Sequence, residues 1–140
     1  SVPVIPITII LVVEIFLEFV ITCESQKVNR KMDFDTYQKL SRKTAIYPTV
    51  GKNFVYPTLG LAGEVGEVVE KVKKAFRDDG GRMTKLRKDE IKKELGDVLW
   101  YLAQISTELK FSFSDVAKSN INKLKLRKER GTLHGSGDNR

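Results

Sequence analysis

Between residues 33 and 130 the apolar positions recur every three or four residues, which is the spacing of amphipathic α-helices. Proline, glycine and helix-capping residues divide this part of the sequence into four segments. The predicted helices run from Asp33 or Asp35 to about Ala45, from Tyr56-Pro57 to about Arg77, from about Lys88 to Lys110, and from Ser112 or Ser114 to about Arg130. The pattern therefore predicts an all-α protein, a small antiparallel four-helix bundle.

The second and third helices each carry one continuous apolar stripe when successive residues are placed about 100° apart around the helix axis. The stripes consist of Leu61, Val65, Val68, Val69, Val72 and Phe76 on the second helix, and of Ile91, Leu95, Val98, Leu99, Leu102 and Ile105 on the third. We predict that the two helices pack against each other through these stripes and that the stripes form the core.

Acidic residues flank both stripes in the same arrangement. Residues 64–69 (EVGEVV) and residues 94–99 (ELGDVL) match position for position in chemical type. Each copy has a glycine in mid-helix, Gly66 or Gly96, although glycine there costs about 1 kcal/mol relative to alanine. The glycines indicate a close approach of helix backbones. Packed antiparallel, the two helices are expected to bring four carboxylates to one rim of their interface. These are Glu64, Glu67, Glu94 and Asp97.

Four neighbouring carboxylates repel one another strongly unless protons or a cation neutralise them, and we favour a cation. The set offers only oxygen ligands, so the hard ions magnesium, manganese and calcium are the candidates. Magnesium commonly shares its coordination shell with substrate phosphates, which favours a nucleoside triphosphate as the partner. The alternative is that the glutamates lie on a solvated helix face, where they pair with Lys71, Lys74 or Lys93.

The composition disfavours several other kinds of site. The single cysteine, Cys23, forms no internal disulfide, and the single histidine, His134, lies in a Gly-rich tail without a second nitrogen ligand. Zinc sites, Cys-His or Ser-His-Asp catalysis and di-iron centres are therefore disfavoured. The formal net charge of +7 reflects either a solvated basic surface or an anionic partner, and charge alone does not choose between a nucleotide and a nucleic acid. A basic nucleic-acid-binding bundle is therefore a further alternative, although the sequence has no recognisable nucleic-acid-binding motif. We expect no stable nucleic-acid complex.

The first 31 residues form an apolar extension of a different character. Glu14 and Glu18 interrupt it, which disfavours a membrane span, and it lacks the positive start and the cleavage site of a secretory signal. We favour an extension that precedes a start at Met32 over a membrane anchor, and we expect a cytoplasmic location. The predicted organisation is an extension (1–31), a helical domain (32–130) and a Gly-rich tail (131–140).

Two motifs carry a resemblance to a known family. Residues 59–68 (LGLAGEVGEV), followed by Lys73-Lys74 and then by residues 94–101 (ELGDVLWY), resemble the MazG-like branch of the all-α NTP pyrophosphatases. The resemblance covers about residues 33–140. Members of that branch often have a further acidic residue where this chain has Gly63, whereas the related dCTP pyrophosphatases have the simpler Glu-x-x-Glu found here.

The resemblance implies an enzyme that cleaves a nucleoside triphosphate between its α and β phosphates and releases pyrophosphate, in nucleotide-pool housekeeping. It implies that the four carboxylates bind Mg²⁺, with Mn²⁺ as an alternative, and that the chains assemble into a dimer or tetramer. The expected substrate contacts are Lys71, Tyr101, Lys118, Asn122 and Lys123, with Phe54 and Tyr56 stacking on the base. A non-catalytic helical module that binds nucleotides or metal and regulates a partner is the alternative function.

Overall fold

The structure, a computed structural model, describes residues 32–134. This part of the chain contains four α-helices: α1 (Phe34–Arg42), α2 (Val55–Asp79), α3 (Lys85–Glu108) and α4 (Phe113–Glu129). No strand occurs between residues 32 and 134, so the predicted all-α class is confirmed. The predictions for the extension (1–31) and for the end of the tail (135–140) lie outside the described residues.

The helix ends follow local hydrogen bonding. Thr84 and Ser112 are the N-caps of α3 and α4, and each hydroxyl accepts a hydrogen bond from the backbone N–H three residues further on. Helix α1 ends at Arg42, earlier than the predicted end at Ala45. The chain leaves the helix there because residues 43–45 make backbone bonds to the third residue before them, which is a turn rather than an α-helix.

Helices α2 and α3 form an antiparallel hairpin, and they are the most extensively packed pair in the described chain. Contacts at three levels show their direction: Gly60 with Tyr101, Lys71 with Glu94, and Asp79 with Arg87. The connection between the helices turns at Gly80 and Gly81, whose φ angles of 60° and 81° favour glycine. This hairpin places the two acidic motifs opposite each other.

Helix α1 packs on α3 through polar side chains. Gln104 is fully buried, and its amide donates a hydrogen bond to the Ser41 hydroxyl (3.2 Å). Gln38 donates to the Thr107 hydroxyl at 3.0 Å. Buried polar groups of this kind fix one arrangement of the helices because each needs its partner.

Asp35 lies inside α1 and caps a different helix from the one predicted. Its carboxylate accepts hydrogen bonds from the Ser112 hydroxyl (2.7 Å) and the Ser114 backbone N–H (3.2 Å), at the start of α4. Of the two residues predicted to cap the first helix, Asp33 or Asp35, Asp35 is therefore not the cap of α1. Among the described helices, α4 contacts α1 and α3 but not α2.

The predicted core stripe of α2 is only partly buried. Val65, Val69 and Phe76 are 47%, 60% and 68% exposed, so their assignment to the core of the single chain is wrong. The face that packs on α3 lies about a quarter-turn away, and Pro57 and Ala75 are its buried members. On α3, Leu95 and Leu102 of the other predicted stripe are likewise exposed, at 52% and 37%.

The mid-helix glycines do not mark a close approach within the chain. No heavy atom lies within 4 Å of the position that a Cβ would take at Gly66 or Gly96, so the prediction of backbone contact there is wrong for the described chain. Gly60 is different, because a Cβ there would overlap the ring of Tyr101 and lie 2.8 Å from its hydroxyl oxygen. Gly60 is therefore the α2 glycine that tight packing requires.

None of the helices between residues 32 and 134 is long and apolar enough to cross a membrane.

Candidate active site

Three of the four predicted carboxylates converge between α2 and α3. Oxygen atoms of Glu64, Glu94 and Asp97 all lie within 4.8 Å of one another. Glu64 and Glu94 are half-buried between the helices, and Asp97 is exposed. Glu67 is exposed on the next turn of α2 and is not part of this close group. The thirty-residue repeat in the sequence thus corresponds to opposite walls of one acidic groove.

The electrostatics of the groove favour a cation. Burial raises the pKa of Glu64, and the negative charges of Asp97, Glu94 and Glu67 raise it further. A carboxylate in such surroundings is stabilised in its charged form by a neighbouring positive ion. The donor set consists of carboxylate oxygens, which suits a hard divalent ion such as Mg²⁺. The residues present therefore fit a divalent metal site.

Lys71 lies at the edge of the acidic groove. Its ammonium group is 3.3 Å from a carboxylate oxygen of Glu94. The hydrogen bond to Glu94 raises the pKa of Lys71, and the charges of Glu94, Glu90 and Glu67 add to this effect. Lys71 thus supplies a positive charge next to the carboxylate of Glu94.

Tyr101 reaches across to α2, where its ring covers Gly60. Burial raises the pKa of Tyr101, as do Tyr56, Glu64 and Asp97, so its phenol lies between the acidic groove and the start of α2. Tyr37, on α1, was not among the predicted site residues. Burial and the charge of Asp97 raise its pKa as well, so the phenol of Tyr37 also lies in the field of the groove.

A cluster of aromatic rings continues from Tyr101 to the start of α2. Tyr56 stacks on Tyr47 with ring centroids 5.1 Å apart and an interplanar angle of 12°. Trp100 packs edge-on against Tyr47 and Tyr101, and its indole N–H donates to the Thr44 hydroxyl at 2.8 Å. Its position is that of a packing residue.

Phe54 and Tyr56 offer the open aromatic surface of this region, with exposed fractions of 52% and 46%. They are the two rings that the sequence proposed for stacking on a base. Their exposure beside the start of α2 is consistent with that role.

The predicted contacts on α4 lie away from the acidic groove in the single chain. Lys118 and Asn122 line one cavity of about 390 Å³, together with Phe34 and Ile121. Lys123 lines another, of about 520 Å³. No carboxylate of the groove lines either cavity. Within the described part of one chain, Lys118, Asn122 and Lys123 therefore do not form one site with Glu64, Glu94 and Asp97.

Sequence reasoning missed a buried carboxylate at the end of α3. The Glu108 side chain is 1% exposed and forms a salt bridge with Arg42 at 2.9 Å. It also binds the loop between α1 and α2. A glutamate that follows an amphipathic pattern gives no sign of this role, because its partners are 55 to 66 residues away in the sequence.

The fold and the site together define a class: a small all-helical protein whose central hairpin carries an acidic groove suited to a divalent cation. Residues 57–132 match the family described as MazG nucleotide pyrophosphohydrolase domain. The chain is also 46% identical to the Gene 37 protein of Mycobacterium phage L5, in an alignment that covers 78% of this chain and all of the phage protein. The chain therefore belongs to the MazG nucleotide pyrophosphohydrolase family. No solved structure matches it.

Proposed function

We propose that the protein is a Mg²⁺-dependent nucleoside triphosphate pyrophosphohydrolase, which converts an NTP or dNTP and water to the monophosphate and pyrophosphate. The convergence of Glu64, Glu94 and Asp97 on facing helices carries the proposal, because carboxylates so placed suit a metal ion that binds phosphates. Family membership supports the same reaction.

In the proposed site Glu64, Glu94 and Asp97 hold Mg²⁺, with Mn²⁺ as an alternative. Glu67, on the next turn of α2, completes the set by a rotation of its side chain. Mg²⁺ held by these residues would neutralise phosphate charge and polarise the phosphoanhydride between the α and β phosphates. A carboxylate of the same set orients the attacking water and accepts its proton. This scheme needs no covalent nucleophile.

The remaining groove residues bind the substrate. The ammonium of Lys71 exchanges Glu94 for a phosphate oxygen, since both are anionic partners at the same place. The Tyr101 hydroxyl donates a hydrogen bond to a phosphate or to the sugar. Phe54 and Tyr56 provide the surface for the base.

We further propose that the active form is a homo-oligomer, a dimer or tetramer. Lys118, Asn122 and Lys123 lie on α4, which does not contact α2 in one chain, so a second copy supplies their contacts to phosphate and sugar. The exposed apolar residues of α2 support this assembly, because a monomer seldom leaves such a row in water. The activity serves nucleotide-pool housekeeping in the cytoplasm.

The test is a screen for pyrophosphate release from each NTP and dNTP with Mg²⁺, in wild type and in Glu64→Gln and Asp97→Asn. We expect turnover of at least one nucleotide and a loss of about a hundredfold or more in each variant. Asp89→Asn, an exposed carboxylate on α3 outside the groove, is the matched control and should retain activity. Nucleotide binding without turnover in wild type would instead support the non-catalytic module.

A further inference from the structure

Glu108 collects four hydrogen bonds in a nearly closed pocket at the end of α3. One carboxylate oxygen accepts from Arg42 Nη2 (2.9 Å), Tyr47 Oη (2.5 Å) and the backbone N–H of Gly51 (2.8 Å), and the other accepts from the backbone N–H of Asn53 (3.0 Å). Three of the four donors belong to the loop between α1 and α2. The carboxylate is therefore the anchor of that loop.

The loop needs such an anchor because it has no regular structure of its own. Thr49 and Gly51 both have positive φ angles, of 54° and 93°. The Asn53 backbone is held by Glu108, while its side chain accepts from the backbone N–H of Tyr56 at 3.0 Å. Through Asn53, Glu108 fixes the first turn of α2.

Glu108 also holds the ring of Tyr56 indirectly, through Tyr47. Glu108 binds the hydroxyl of Tyr47, and the ring of Tyr47 stacks on Tyr56 at 5.1 Å. Tyr56 is consequently fixed both at its backbone and at one face of its ring. Almost half of its surface stays open to solvent.

Tyr56 begins a row on α2 that leads to the acidic groove. Tyr56, Gly60 and Glu64 follow one another at intervals of four residues, so they lie on one side of the helix. The row is roughly 12 Å long, or about two helical turns. Tyr101 covers its middle, at Gly60. A nucleotide whose phosphates lie at Glu64 thus has its base near Tyr56.

We infer that Glu108 is a positioning residue for nucleotide binding: by anchoring the loop at Tyr47, Gly51 and Asn53, it holds Tyr56 in place to receive the base. The inference rests on the proposed function and deepens it. Glu108 itself does not touch the substrate. It affects substrate affinity by holding the ring of Tyr56, while the carboxylates of the groove act on the chemical step.

The test separates affinity from turnover in Glu108→Gln, using the nucleotide that the wild type turns over best. We expect KM to rise about tenfold while kcat changes by less than about twofold. Tyr47→Phe removes the hydrogen bond that the hydroxyl donates to Glu108 and the one it accepts from Arg42, and keeps the stacked ring, so it should raise KM by a smaller factor. It also serves as the milder variant if Glu108→Gln does not fold.

Two controls distinguish positioning from a general structural role. Arg87→Gln removes the salt bridges at the far end of the hairpin, so it should lower the unfolding temperature and leave KM unchanged. In a Tyr56→Ala background the effect of Glu108→Gln on KM should disappear, because the group that it positions is gone.

An unchanged KM in both Glu108→Gln and Tyr47→Phe would overturn the inference while leaving the proposed function intact. The inference would also be overturned if Glu108→Gln raised KM by the same factor in the wild type and in the Tyr56→Ala background. If the wild type releases pyrophosphate from no nucleotide, the proposed function fails and the inference fails with it.

Discussion

At the scale of single residues, the pKa values of Glu108 and of Glu64 change in opposite net directions. Burial alone would raise the pKa of Glu108, but hydrogen bonds from Tyr47, Gly51, Asn53 and Arg42 outweigh it and lower the pKa to about 2. No donor to Glu64 is found within residues 32–134, and burial beside like charges raises its pKa. The first carboxylate is satisfied by the protein, whereas the second is suited to a cation.

The lowered pKa of Glu108 predicts an acid-sensitive contribution to stability. A carboxyl whose folded pKa lies below its unfolded value of 4.5 stabilises the fold above that pH, and the contribution is lost as the pH falls toward 2. For this nearly buried group it is about 3 kcal/mol. The destabilisation caused by Glu108→Gln should therefore be large at pH 7 and shrink below about pH 4.5. Urea unfolding followed by circular dichroism, at fixed protein concentration, measures the difference in the free energy of unfolding between wild type and Glu108→Gln at each pH.

Asp89→Asn is the control for this pH series, since Asp89 is exposed on α3. Its effect on the free energy of unfolding should be small at every pH. A difference between wild type and Glu108→Gln that stays constant from pH 7 to pH 2 would contradict the assigned hydrogen bonding.

The sequence predicted that carboxylates of the two motifs come together, which holds for Glu64, Glu94 and Asp97, and it missed Glu108 for a physical reason. Glu64 and Glu94 are marked by a repeated local spacing, because a helix converts spacing directly into a shared face. The role of Glu108 depends on a loop that folds back from more than fifty residues away. No local pattern encodes such a contact.

At the scale of helices, capping and helix-breaking residues predicted the helix bounds well. The amphipathic pattern did not predict which apolar residues of a helix are buried within the chain. Val68 and Val69 both belong to the predicted stripe, yet Val68 is half-buried and Val69 is 60% exposed. The apolar stripe of α2 is wide enough to face both α3 and a second surface. The sequence of one chain does not show which of its residues face which.

Two glycines of α2 form a matched pair that tests the packing of the hairpin. Gly60→Ala should destabilise the protein by about 1–3 kcal/mol, because the new methyl group overlaps the Tyr101 ring. Gly63→Ala, three residues on, meets no atom within 4 Å and should stabilise the helix by up to about 1 kcal/mol. Thermal unfolding of the two variants gives the comparison. Stabilisation by both changes would show that Tyr101 does not rest on Gly60.

At the scale of the whole molecule, α2 presents an apolar row, the uncovered row, that no other helix between residues 32 and 134 covers. The row consists of Val55, Leu59, Ala62, Gly66, Val69 and Phe76, all exposed and spaced by three, four or seven residues. That spacing is the one through which helices pair along their length. Gly66 lies in the row with open space above it, which leaves room for the backbone of another helix. The proposed oligomer accounts for both features.

Val69→Glu tests this assembly, because it places a charge in the middle of the uncovered row. If a second copy covers the row, burying an unpaired carboxylate there costs about 3–5 kcal/mol, which weakens association by more than about a hundredfold. Sedimentation equilibrium should then show an oligomer for wild type and a monomer for Val69→Glu at micromolar concentration. Ile46→Glu, at a loop residue that is 95% exposed, makes the same chemical change outside the row and should remain oligomeric.

Pyrophosphate release should fall with dissociation in Val69→Glu, since Lys118, Asn122 and Lys123 would no longer reach a neighbouring groove. A wild-type monomer with full activity would contradict the assembly and leave the metal site of the single chain untouched.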